Sequence, residues 1–213
     1  MRIVVLGANG GVGRQAVRAA AERGHQVVAA ARATDPGAAD DGVDRRAVDV
    51  RDADAVHAAL AGVDAVLWCV GVTRTSGPGV GSAALPHVVA AARSHGVTRL
   101  VSVSGAGVDL PGDRKGLGAR LVSALTHRLA GALVGDKEAE HRILAASDLV
   151  WTEVRPPRLT DGGATGRWRL GDDAPGLTAS PVTRGDVAEA MLDLAADPGQ
   201  WVRASPFIST VRG

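Results

Sequence analysis

A chain of 213 residues is long enough to bury one α/β core and short for two, so a single domain over 1–213 is expected. Its 24 basic and 23 acidic residues leave a net charge of +1, which provides no global field to draw it to nucleic acid or an anionic membrane; the expected partner is a small molecule. One cysteine, Cys69, excludes an internal disulfide, no apolar run nears the length of a membrane span, and a strand begins at residue 2 where a leader would stand, so a cytoplasmic protein is expected.

The first strand runs into Gly7-Ala8-Asn9-Gly10-Gly11-Val12-Gly13 and then an alanine-rich helix over 12–23. Glycines spaced G-x-x-G-x-x-G between a strand and a helix suit a turn that needs unusual backbone angles and lets a diphosphate approach the helix N-terminus, where unpaired N–H groups and the dipole favour an anion. The stretch 26–31 reads as a second strand ending in Arg32. In dinucleotide folds an acidic residue at that point selects NAD, and a basic one accepts the 2′-phosphate of NADP; Arg32 therefore predicts NADP(H).

A third strand is expected at 47–50, with Asp49 and Val50 near the adenine edge and Asp52 capping a helix over 53–61. The continuous apolar run 65–70 suits a central parallel strand covered on both faces, and it delivers Cys69, Val70 and Gly71 as a cofactor wall. A Thr-, Ser- and Gly-rich loop at 73–81 precedes a helix over 82–95, and a fifth strand at 99–103 carries Ser102 and Ser104 to the same edge. Helices follow at 119–134 and 137–146, separated by Gly135, the second opened by Asp136 with Glu138 and Glu140 solvated in its first turn. The strand 149–154 stops at Pro156-Pro157; the excursion 158–176, with a short strand at 167–170, reads as substrate-side structure, and a helix over 186–196 and an edge strand near Phe207 complete the chain. This alternation predicts an α/β Rossmann-type fold, a doubly wound, mostly parallel sheet with helices on both faces.

Leu6 to Gly13, Gly62-Val63-Asp64-Ala65-Val66, Val101 to Ser104, Asp136-Lys137 with Glu140, Trp151 to Pro157 and Thr183 to Ala188 together resemble the atypical short-chain dehydrogenase/reductases of the NmrA-like and biliverdin reductase B (flavin reductase) type. The similarity spans nearly the whole chain. It implies an NAD(P)H-binding oxidoreductase with phosphates on the first helix and nicotinamide near Ser104 and Pro156, so that Ser104 and Lys137 are the expected catalytic-site residues. Gly7, Asn9, Gly10, Gly11, Val12, Gly13, Arg32, Ser102, Lys137 and Pro157 join the wall residues as expected cofactor contacts.

The sequence departs from the family at its chemistry. Classical members use a Tyr-x-x-x-Lys pair, in which the lysine lowers the phenol pKa for proton transfer; here Leu133 precedes Lys137 and no tyrosine exists anywhere. The expected reaction is hydride transfer to a conjugated acceptor such as a flavin, quinone or enone/carbonyl intermediate, with Ser104 and Lys137 positioning rather than relaying a proton. A non-catalytic NmrA-like redox sensor and a biosynthetic epimerase or dehydratase are the alternatives. The six histidines show no metal-ligand spacing, and Ser102 and Ser104 lack the G-x-S-x-G elbow of a hydrolase.

Overall fold

The structure, a computed structural model, describes residues 1–33, 42–73, 76–176 and 178–211, and of Val122 and Leu129 the backbone only. Most of the loop expected over 33–42, and part of that at 73–81, lie outside the described residues. Six parallel strands form one sheet in the order β3-β2-β1-β4-β5-β6: Arg2–Leu6 (β1), Gln26–Ala31 (β2), Asp44–Ala47 (β3), Ala65–Trp68 (β4), Arg99–Val103 (β5) and Val150–Val154 (β6). The order reverses between β1 and β4, and at such a switch point the carboxyl ends part and leave a crevice for a ligand.

The continuous apolar runs of β1 and β4 follow from cover on both sides. Val4, Leu6, Val66 and Trp68 face one core, shared with Ala53–Ala59 (α2), Val80–His95 (α3) and Leu117–Ala146 (α4). Ile3, Val5, Ala65 and Leu67 face the other, shared with Gly11–Glu22 (α1) and Arg184–Ala196 (α5). Two small ribbons flank the sheet: Leu159–Thr160 (β7) pairs parallel with Val182–Thr183 (β9), and Trp168–Gly171 (β8) pairs antiparallel with Phe207–Thr210 (β10).

Two element assignments and one burial differ from expectation in ways that bear on the site. The third strand occupies Asp44–Ala47 rather than 47–50, because its pairing with β2 ends at Ala31↔Ala47. An edge strand can carry charge, and Asp44-Arg45-Arg46 lacks the apolar alternation that marks a strand. The helices expected at 119–134 and 137–146 are one element, α4, whose break is at Ala130 (φ −137°, ψ 34°) and not at Gly135. Glu140 is not solvated but 1% exposed, for a reason set by the fold.

Candidate cofactor site

A cavity of about 420 Å³ lies at the switch point. The glycine turn supplies Gly7, Asn9 and Gly10 to its wall, and the end of β2 supplies Arg32; the chain past β3 adds Asp49 and Val50, and the chain past β4 adds Cys69, Val70 and Gly71. Gly7 has φ +86°, and a Cβ there would lie 2.7 Å from the Cys69 carbonyl oxygen, so glycine is what lets the turn approach the end of β4. Gly13 serves packing: its Cβ would stand 2.2 Å from the Gly7 carbonyl oxygen. Gly11, Val12 and Gly13 open α1, whose cap residue Gly10 offers no side chain to the N–H groups of the first turn.

Side chains tie the rim together. Asn9 Nδ2 donates to the Ala33 carbonyl at 2.8 Å, and Arg14 Nη1 to the Asn9 carbonyl at 2.6 Å. The Arg32 guanidinium reaches Thr73 Oγ1 at 3.4 Å across the mouth. Arg51, which sequence reasoning passed over, also lines the cavity, and its Nε donates to both oxygens of Asp49 at 3.0 and 3.2 Å. These bonds, joined by the Arg51 backbone N–H, hold the Asp49 carboxyl down at about 2. This corner of the cavity thus has two guanidinium groups with one carboxylate already occupied. The indication in the sequence was the Asp49-x-Arg51 spacing, which only a known end of β3 makes readable.

Lys137 sits behind the opposite wall. Its ammonium donates to the Val70 carbonyl at 3.0 Å and to Glu140 Oε2 at 2.8 Å, and Trp68 Nε1 donates to the same carboxylate oxygen at 2.8 Å. Burial pushes the Glu140 carboxyl up and Lys137 opposes it. Burial likewise pushes the Cys69 thiol up to about 12 despite the nearby Lys137 charge, so it is no nucleophile at neutral pH. Asp136 accepts from the N–H groups of Gly81 and Ser82 at 3.1 and 2.8 Å and so caps α3, not its own helix.

Ser104 and Ser102 fare differently from each other. Both hydroxyls are buried without a partner among the described residues, but Ser102 is 1% exposed inside β5 while Ser104 stands past its end, its N–H donating to the Val154 carbonyl at 2.9 Å. Neither lines the switch-point cavity. Pro156 is buried and accepts from the Ala106 N–H at 2.8 Å, and Pro157 lines a second hollow of about 660 Å³ with Gly105, Ala119, Thr126, Arg158 and Pro181. The excursion 158–176 contributes Arg158, Pro175 and Gly176 to that hollow, which extends to Pro181. Among the described residues no three His, Cys, Asp or Glu side chains form a metal-binding group, and no helix is long and apolar enough to cross a membrane.

Fold and site together define a dinucleotide-binding Rossmann protein. Residues 7–198 match the profile of the NAD(P)H-binding family, and the chain belongs to that family. A 2-alkyl-3-oxoalkanoate reductase of Stenotrophomonas maltophilia (strain K279a) is 32% identical over 224 aligned residues, covering 93% of this chain and 67% of that one. The solved structure of ChuY, an anaerobilin reductase of Escherichia coli O157:H7, is 24% identical with a TM-score of 0.77 over 99% of this chain and 97% of its own. The oxidoreductase ylbE of Lactococcus lactis is 22% identical with a TM-score of 0.79 over 100% and 92%. At those identities the two structures show the shared fold.

Proposed function

We propose that this NAD(P)H-dependent reductase draws on NADPH held in the switch-point cavity and reduces a conjugated or carbonyl-bearing small molecule seated in the cleft past β5 and β6. The observation that carries the reading is the pair of hollows on one carboxyl edge, with Ser104, whose buried hydroxyl finds no partner among the described residues, one residue before Gly105 of the second. A buried hydroxyl without a partner costs about 1–3 kcal/mol, which a ligand there would recover. The cavity fits the cofactor: a side-chain-free helix N-terminus for phosphates, Arg32 and Arg51 for a 2′-phosphate, and backbone at Cys69 to Gly71 for the second half.

The cofactor supplies hydride. The chain supplies position: Lys137, held by Glu140, fixes the Val70 carbonyl and hence the wall, and Ser104 Oγ–H is the donor available to orient an acceptor oxygen or nitrogen. No phenol exists, the residue four before Lys137 is Leu133, and the lysine ammonium already has two partners. Acceptors that take their proton from solvent suit this arrangement, and the 2-alkyl-3-oxoalkanoate reductase makes a 3-oxo acid the carbonyl compound to include.

The test is NADPH consumption with flavins, quinones and a 2-alkyl-3-oxoalkanoate. Ser104→Ala should lower kcat/KM with the best acceptor by about tenfold to a hundredfold, about 1.4–2.7 kcal/mol, with little change in NADPH affinity. Tight NADPH binding with no oxidation by any acceptor would replace the reductase with a redox sensor.

A further inference from the structure

Arg184 opens α5 on the far side of the glycine turn, and its side chain lies across the first residue of α1. A Cβ on Gly11 would stand 2.4 Å from Arg184 Nε and 2.6 Å from its Cδ, so glycine at that position makes room for the arginine. The placement is electrostatically odd. A helix N-terminus carries partial positive charge, and a cation packed on it is disfavoured unless an anion joins them. The cap of α1 supplies no side-chain anion.

The partners of Arg184 do not account for it. Nη1 donates to Asp161, whose side chain is 99% exposed, and such a pair in water contributes little. Nε and Nη2 donate to no described residue. Asp161 belongs to a stretch tied to the same end of α5: Gly185 N–H donates to the Gly162 carbonyl at 3.1 Å, Thr183 Oγ1 to the Gly163 carbonyl at 2.9 Å, and Asp186 accepts from the Thr165 N–H at 2.7 Å. Those bonds hold the stretch in place without the Arg184–Asp161 pair, so the guanidinium is free to change partners at small structural cost.

We propose that Arg184 is a second clamp on the cofactor's diphosphate, facing the N–H groups of α1 from α5, and that Asp161 is the carboxylate it exchanges for phosphate oxygen. This rests on the reading that the cavity holds a nicotinamide dinucleotide. A planar guanidinium suits two phosphate oxygens at once, and the diphosphate's charge stands where the cation is otherwise balanced only by the exposed Asp161. Asp161 then competes with the cofactor for the same cation.

Calorimetry on the full chain at low and high salt tests it, with NADPH and, as a probe without a diphosphate, adenosine 2′-monophosphate. Arg184→Ala should weaken NADPH tenfold or more and flatten its salt dependence while leaving the monophosphate unchanged. Arg184→Lys should keep the salt dependence and lose part of the affinity. Asp161→Asn should tighten NADPH severalfold, a direction that a merely structural ion pair would not produce. An Arg184→Ala protein with a wild-type melting profile and wild-type NADPH affinity overturns the clamp while leaving the cofactor reading intact; wild type that binds no nicotinamide dinucleotide overturns both. Should Arg184→Ala not fold, unchanged NADPH affinity in Asp161→Asn, which alters one exposed oxygen, overturns the clamp by itself.

Discussion

At the residue scale, Asp49 and Arg51 show how two neighbours two positions apart become a fixed charge pattern once a strand end aims both at one cavity. The guanidinium bonds and the backbone N–H of Arg51 lower the Asp49 carboxyl from 3.8 to about 2. A depressed carboxyl stabilises the fold above its unfolded value and loses that contribution as pH falls through its folded one. The Asp49 contribution is therefore present above about pH 4 and disappears toward pH 2, and with its side chain 36% exposed, solvent keeps it small. Arg51→Ala should return Asp49 to the ordinary aspartate range in an NMR carboxyl titration; a carboxyl still titrating near 2 would mean that the bonds to Arg51 are not the cause.

At the scale of elements, the joint between α3 and α4 carries the wall of the site. Helix α3 begins at Val80 behind Gly79, whose φ of +79° makes a turn but whose missing side chain leaves the first N–H groups uncapped. Asp136, 5% exposed in α4, accepts from two of them across the interface, while one turn later Glu140 collects Lys137 and Trp68. Losing a capping carboxylate costs about 0.5–2 kcal/mol. Asp136→Ala should lower the melting temperature by about 1–8 °C at the usual sensitivity of a chain this size. Asp136→Asn, which keeps one acceptor oxygen, should recover part of the loss, and a thermal melt that separates neither variant from wild type would remove the cap from the account.

At the scale of the whole molecule, the near-neutral net charge means that cofactor choice rests on local charges, since no overall field favours the more anionic dinucleotide. Arg32 at the end of β2 and Arg51 past β3 come from strands that are neighbours in the sheet, so the topology brings both cations to one corner of the cavity. A charge-assisted bond to a 2′-phosphate contributes about 1.5–3 kcal/mol, a preference for NADPH over NADH of roughly tenfold to a hundredfold. Arg32→Asp should reverse it, by loss of the cation and repulsion of the phosphate. Equal wild-type affinities for the two dinucleotides in a direct binding measurement would show that neither arginine faces the ribose.

What the sequence by itself determined were the features encoded within one short window. The strand, glycine turn and alanine-rich helix at the N-terminus, the Asp52 cap and the apolar runs of the central strands depend on local sterics, local hydrogen bonds and two-sided cover. Arg32, Asp49 and Cys69 to Gly71 were legible as cavity residues for the same reason: strand ends predict a carboxyl edge. The tertiary structure alone decided where long-range polar groups go. Asp136 looks like the cap of the helix it begins, and Glu140 like a solvated first-turn acid, until the approach of α3 and β4 turns one into another helix's cap and the other into a buried partner of Lys137 and Trp68. Likewise Gly135 reads as the helix break, but the long helix bends at Ala130. Partners 55 to 72 residues away leave no periodic trace in a chain, because the cost of burying a charge is met by whichever group the fold brings within 3 Å.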